Sequence, residues 1–256
     1  MTRLLTQAEG DPVAMENAGA KGDFLFVCEH ASRRLPERLG TLGLSGEALE
    51  SHIAWDPGAL AVAQLLAEKL DSTLIHQRFS RLAYDCNRPP ESEAAMPVVS
   101  EVYDVPGNRA MSAAERQARV DEIYLPFHDA VSKLVIERKA AGRRPVLVTM
   151  HSFTPIYFGK PRAVELGILH DADSRLADRM LTAAAAETAY EVRRNEPYGP
   201  ADGVTHSLIE YGVRHGLPNV MIEIRNDLVR NETGQRVMAD YLEGLLAKSA
   251  AALSAQ

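Results

Sequence analysis

The sequence predicts an α/β fold, with a mostly parallel sheet covered by helices on both faces. Three short, unbroken apolar runs carry that expectation: FLFVC (24–28), PVLVTM (145–150) and PNVMI (218–222). Runs of this length without polar alternation mark strands buried on both faces, the usual state of parallel strands. Helix-length segments with cap signals separate them, and strands alternating with helices build a sheet with two helical layers. The 256 residues are 46% hydrophobic and 25% charged, enough apolar material for one sizeable core. No internal repeat, low-complexity linker or boundary interrupts them, so residues 1–256 are expected to form one domain.

The elements follow in order. Residues 1–22 carry Gly10, Pro12, Gly19 and Gly22 with little periodicity and read as an irregular lead-in. Phe24–Cys28 is a strand that breaks into the polar EHASRR at Glu29-His30. Ser45, followed by Glu47 and Glu50, opens a helix. A second helix begins near Asp56-Pro57, with Asp suited to the cap and Pro to the first turn, and runs to Leu70. Ser72–Gln77 is a strand, and residues 89–109 a loop without period. Ser112 and Glu115 have capping-box spacing and start a long helix to about Ala141. Pro145–Met150 is a buried strand ending at His151, and Ala163–Leu169 a further strand. Asp173–Ala186 reads as a helix, Tyr190–Arg193 as a short β segment and Val204–His215 as a helix stopped by Gly216. Pro218–Ile224 is another buried strand, and Arg236–Ala251 a closing helix.

Composition excludes several classes of function. A net charge of -7 gives no electrostatic support to a general nucleic-acid or membrane-surface role. No stretch approaches the ~20 apolar residues of a membrane span, and the N-terminal segment lacks a signal-like apolar core, so a cytoplasmic protein is expected. Cys28 and Cys86 are far apart, in no metal-ligand spacing, and read as buried apolar side chains.

Chemistry gathers where the strands end. FLFVC leads into Glu29-His30, PVLVTM into His151-Ser152, and PNVMI into Glu223. Open parallel sheets bind ligands outside the carboxyl ends of their strands, so these groups can meet in one crevice. Two imidazoles and a carboxylate with an open position are the ligand set of catalytic zinc hydrolases, which makes a divalent metal, zinc by preference, the expected cofactor. His30 and His151 are the candidate ligands. The residue three after His30 is Arg33, so no H-x-x-E pair exists. Asp56 is the best remaining carboxylate, with a helix cap as its alternative role, and Asp85 and Glu165 stand in reserve. Glu223 lies among Val, Met and Ile, where an unpaired charge is expensive, and suits a general base. Its alternative is a structural pair with Arg225.

The arginines are unusually placed for an acidic chain. Arg78, Arg81 and Arg88 crowd RFSRLAYDCNR, Arg162 precedes VELGIL, and Arg225 follows Glu223 closely. Guanidinium forks match carboxylates, which points to a small anionic substrate. Arg81, Arg88, Arg162 and Arg225 are the candidate contacts, with Asn87 beside Arg88 and Asn195 at the head of NEPYGPADGVTH, a turn-rich run that reads as a substrate loop.

These segments are also where the sequence resembles the N-formylglutamate amidohydrolase family. VCEHASRRLP (27–36), HIAWDPGA (52–59), RFSRLAYDCNRP (78–89), YLPFH (124–128), MHSFTP (150–155), ELGIL (165–169), NEPYGPADGVTH (195–206) and PNVMIEIRNDL (218–228) match in order and cover almost the whole chain. The resemblance implies an α/β/α sandwich around a mixed sheet, like that of zinc-dependent carboxypeptidases. It also implies a metal hydrolase that splits N-formyl-L-glutamate at the end of histidine degradation. By it, His30 and His151 would be ligands, and Glu223 would match the carboxypeptidase-type glutamate. Another N-acyl amino acid, a small peptide, or simple binding of a small acidic ligand are the competing functions, and an oligomer is open.

Overall fold

The computed structural model describes residues 3–254. Seven strands form one sheet: β1 (Val13–Glu16), β2 (Phe24–Cys28), β3 (Thr73–Gln77), β4 (Val146–Phe153), β5 (Leu166–Leu169), β6 (Val192–Arg194) and β7 (Asn219–Arg225). Their order across the sheet is β1-β3-β2-β4-β7-β5-β6. The central strands β3, β2, β4 and β7 run parallel to one another, whereas β1 is antiparallel to β3 and β5 antiparallel to β7. The sheet is therefore mixed, with a parallel centre.

Alternation along the strands sorts their side chains into two layers. Phe24, Phe26 and Cys28 of β2, with Val148, Met150, Val220 and Ile222, pack against α2 (Ala59–Lys69), α5 (Arg175–Ala184) and α6 (Glu232–Ser254). Leu25, Val27, Ile75, Leu147 and Met221 point the other way, against α3 (Ala113–Arg119) and α4 (Leu125–Ala140). The short α1 (Gly46–Glu50) contributes Ala48 to a third, smaller cluster with Leu42, Ile53 and Leu82. The α/β/α arrangement thus follows from continuous apolar strands whose alternate residues each find a helical layer.

Four expectations need correction. The lead-in is not wholly irregular, because Val13–Glu16 pairs with β3 from Val13↔Gln77 to Glu16↔Leu74. Four residues are too few to show a period, and a partner some sixty residues away decides their conformation. The helix from Ser112 has its capping box but is broken by a π turn at Val120–Tyr124, just before Pro126, which has no N–H to give to a regular ladder. The expected helix Val204–His215 is largely a π turn at Leu208–Gly212 followed by a 3-10 turn to His215. Finally, α2 starts later than Asp56-Pro57 suggests, and its N-cap is Gly58 in a left-handed conformation (φ 80°).

Gly58 is needed twice over at the start of α2. A Cβ there would lie 2.6 Å from Val229 Cγ2 and 2.6 Å from the Val229 carbonyl oxygen, and φ is positive. Gly142 has a similar φ of 75° with nothing within 4 Å of its virtual Cβ. Gly58→Ala is expected to cost ~2 kcal/mol or more, lowering Tm by about 5 °C or more, and Gly142→Ala clearly less. Thermal melts of the two variants check this; equal losses would reduce the Gly58 requirement to backbone conformation alone.

Candidate active site

The parallel centre of the sheet brings β2, β4 and β7 to a common end. His30 follows β2, His151 lies within β4, and Glu223 of β7 is in register with His151. On its other side Glu223 faces Gly167 of β5, where an added Cβ would sit 3.1 Å from the Glu223 Cβ and overlap the Glu196 carbonyl oxygen. Glycine at 167 is what lets the Glu196 backbone approach this strand pair so closely. Asp56 arrives from the segment before α2; its own N–H donates to the His30 carbonyl at 2.9 Å.

His30, Asp56 and His151 are each buried to within a few per cent. His30 Nδ1 is 3.2 Å from His151 Nδ1 and 3.2 Å from Asp56 Oδ2, and His151 Nδ1 is 2.9 Å from the same oxygen. The far edge of each imidazole meets another carboxylate. His30 Nε2 is 2.7 Å from Asp85 Oδ1, and His151 Nε2 is 3.2 Å from Glu29 Oε2, an ion-pair distance without full hydrogen-bond geometry. A carboxylate on Nε2 favours the proton there and turns the Nδ1 lone pair inward. Two imidazole lone pairs and a carboxylate oxygen then converge, with the Ser152 N–H, 3.3 Å from Asp56 Oδ2, as a donor to the group. Three acceptors so close together in a buried place require a positive charge among them. A proton can supply it, and a divalent cation, bound by the same atom types, fits the set more completely.

The ionisation of the group follows the same logic. Burial alone would push the Asp56 and Asp85 carboxyls up, but His30 outweighs it, together with His151 at Asp56 and with Arg81 at Asp85, and both are held below the usual carboxylate range. Burial would lower His151, yet Glu29 and Asp56 raise it well above an ordinary histidine. Arg81 completes the ring: Nη2 donates to Asp85 Oδ2 at 2.7 Å, and Nη1 lies 3.4 Å from Asp56 Oδ1. Glu223 behaves differently. Its Oε2 has no hydrogen-bond partner, and burial, with the Asp56 charge added, pushes its carboxyl up to about 7.

A cavity of about 170 Å³ opens onto this cluster, lined among others by Arg81, Asn87, Arg88, Glu101, Tyr198 and Glu223. Arg88 makes no ion pair among the described residues, and Nη1 donates only to the Asn87 carbonyl at 2.8 Å. Asn87 lines the cavity, but its amide ties two segments together: Nδ2 donates to the Val204 carbonyl and Oδ1 accepts the Ser207 N–H.

Three expected substrate contacts lie elsewhere. Arg162 stands behind the wall, its guanidinium 4.3 Å from the Tyr157 ring centre and 4.8 Å from that of Tyr198, donating to the Tyr198 hydroxyl at 3.0 Å. Asn195, with φ 49°, accepts the His170 N–H through Oδ1 and is not part of the lining. Arg225 pairs with Asp227 at 2.8 Å and Glu165 at 3.2 Å, which removes both the Glu223–Arg225 pair and Glu165 as a reserve ligand. Asp56 is likewise no side-chain cap. Sequence reasoning passed over Tyr198 within NEPYGPADGVTH, and His52 and Glu101. No local pattern marks any of these three.

Comparison with known proteins agrees with this architecture. The crystal structure of a gene product of Agrobacterium tumefaciens is 60% identical, with 98% of this chain and 100% of that one covered and a TM-score of 0.96. N-formylglutamate amidohydrolase from Ralstonia eutropha JMP134 shares the fold at 20% identity and a TM-score of 0.65, over 96% of this chain and 99% of that one. No curated protein matches the sequence significantly. The profile of the N-formylglutamate amidohydrolase family matches residues 22–230, most of the length, and the chain belongs to this family of amide-splitting hydrolases.

Proposed function

We propose that this protein is a metal-dependent hydrolase that cleaves the amide of a small N-acyl amino acid, N-formyl-L-glutamate or a close analogue. The observation that carries the reading is the convergence of His30 Nδ1, His151 Nδ1 and Asp56 Oδ2, which asks for a cation at one point. These three residues would hold the metal, and imidazole nitrogens with one carboxylate favour zinc. Bound there, such an ion supplies Lewis acidity that polarises an amide carbonyl and makes water a stronger nucleophile.

The remaining work falls to side chains around the cavity. Glu223, unpartnered and poised at about 7, accepts a proton from the attacking water and returns it to the departing amine nitrogen. Arg88, with no ion pair among the described residues, takes the substrate carboxylate. Arg81 holds Asp56 and Asp85 in place rather than meeting substrate first. Tyr198 receives a hydrogen bond from Arg162, which leaves its own O–H to point into the cavity. No helix among the described residues is long and apolar enough to cross a membrane, and we place the reaction in the cytoplasm.

Purified protein is expected to carry one divalent metal per chain. Chelation should abolish amide hydrolysis and lower Tm, and His151→Ala should fail to take the metal back; elemental analysis with melting curves checks both. A chain that hydrolyses N-formyl amino acids fully after stripping would refute metal dependence. A chain that binds metal and substrate without turnover would be a binding protein.

Glu223→Gln keeps the shape and loses the base. Its kcat is expected to fall by about 10²–10⁴-fold with metal content unchanged. In the metal-free protein the variant should also change the pH dependence of stability. The folded carboxyl titrates near 7 rather than at 4.5, so wild-type stability is lost as pH rises through that window. Glu223→Gln should therefore melt higher than wild type at about pH 8, an advantage that disappears at about pH 4. Near-normal kcat at full metal loading would remove Glu223 from the proton transfer.

A further inference from the structure

Arg162 carries a charge that no carboxylate answers. It makes no ion pair among the described residues, and three rings enclose its guanidinium instead. Their centres lie 4.3 Å (Tyr157), 4.8 Å (Tyr198) and 5.5 Å (Phe153) from Cζ. The rings come from separate places: Phe153 ends β4, Tyr157 lies in a two-strand ribbon (Ile156–Tyr157 with Lys160–Pro161), and Tyr198 belongs to NEPYGPADGVTH. A ring face attracts a cation but has no net charge, so the positive field behind Tyr198 is not cancelled. Arg162 Nη1 donates to two acceptors, the Tyr198 phenol oxygen at 3.0 Å and the Thr154 carbonyl at 3.4 Å.

A phenol has one proton to give and lone pairs to accept with. The guanidinium occupies the accepting side of Tyr198, which leaves the O–H for the cavity that the residue lines. Burial, with the Glu223 charge added, pushes this phenol up to about 12, so the proton stays on and the group is a donor. Donation from a cation into the phenol oxygen also polarises the O–H and strengthens it as a donor. The cavity charges that Tyr198 feels most are those of Glu223 and Arg81. Arg81 braces Asp56 and Asp85, so both charges mark the reacting end of the cavity. The hydroxyl therefore stands where an amide carbonyl would gain charge.

We propose that the Tyr198 hydroxyl is a catalytic hydrogen-bond donor to the amide carbonyl oxygen as that oxygen becomes anionic, and that Arg162 is the positioning residue that aims and polarises it. The inference rests on the amidohydrolase reading above and adds this pair to it. The oxygen of water bonds to the carbonyl carbon while the C=O π pair moves onto the carbonyl oxygen and Glu223 takes a water proton. Tyr198 tightens its hydrogen bond to the charged oxygen without giving up its own proton. The electron pair then returns, the C–N bond breaks, and Glu223 hands its proton to the amine nitrogen, releasing the acid and the free amine.

Tyr198→Phe keeps the ring that Arg162 stacks on and removes only the O–H. In the metal-loaded enzyme its kcat on N-formyl-L-glutamate is expected to fall about 10²-fold, with KM changed by less than about threefold. Arg162→Met should lose about tenfold in kcat, and Arg162→Lys, which keeps a charge and a donor, should lose less. The double variant Tyr198→Phe/Arg162→Met should be within about threefold of Tyr198→Phe alone, because Arg162 acts through that hydroxyl. Calorimetry on the metal-loaded Glu223→Gln protein gives a readout without turnover. There, adding Tyr198→Phe should leave the Kd of N-formyl-L-glutamate within about twofold and weaken the tetrahedral phosphonamidate of L-glutamate by about tenfold or more. A loss carried by KM, with both compounds weakened alike, would make Tyr198 a contact for the substrate carboxylate and overturn the proposal. Losses that multiply in the double variant would reduce Arg162 to a structural residue and overturn its part. If wild type hydrolyses no N-acyl amino acid, the amidohydrolase reading fails and calorimetry decides for Tyr198. A phosphonamidate that binds the Tyr198 and Phe proteins equally, or neither, counts against it.

Discussion

Everything in this molecule's working end answers to one electrostatic constraint. Three electron-pair donors, from His30, His151 and Asp56, are forced within about 3 Å of one another in a buried place. Left alone they would separate or draw in water. An outer ring prevents it: Asp85 and Glu29 orient the imidazoles from behind, and Arg81 bridges Asp56 to Asp85. Each outer group is itself an ion that must be compensated, which is why desolvation and pairing oppose each other at nearly every site residue. Glu223 is the exception, a carboxyl whose burial is not offset by a partner, and that imbalance leaves it near neutral pH and able to exchange a proton.

The sequence made the strand ends readable for a physical reason. A parallel strand buried on both faces carries few polar residues before its carboxyl end, so the polar groups that follow FLFVC and PVLVTM are the ones delivered to that end of the sheet. His30 and His151 were visible in that way, and so was Glu223 inside PNVMIEI. Asp56 had two local roles open to it; the backbone at Gly58 resolves them by taking over the cap. Side-chain direction outside the strands was not readable. Arg162 and Asn195 are turned onto the distant Tyr198 and His170, and Arg225 onto Glu165 as well as Asp227, two residues further along its own segment. Glu101 lay in a stretch without period, and its position depends on Phe158, 57 residues further on.

The mixed character of the sheet matters more than its parallel centre alone would suggest. The antiparallel β5 places Gly167 directly against Glu223, while the parallel β4 places His151 on the opposite side. Glu223 is thereby held between His151 and a glycine whose Cβ position the Glu196 carbonyl oxygen occupies. Neighbours on both sides leave the cavity as the open direction for its carboxylate.

Sequence separation within the cluster bears on when its three donors can meet. His30 and Asp56 are 26 residues apart, Asp56 and His151 95, and His30 and His151 121. An unfolded chain offers no local chelate at such distances, because closing loops of that length costs entropy before any bond is made. The pocket exists only after β2, β4 and the segment before α2 have docked, so an ion cannot template this fold as it does in a zinc finger. A cation held by these three residues would therefore be captured after the polypeptide has assembled.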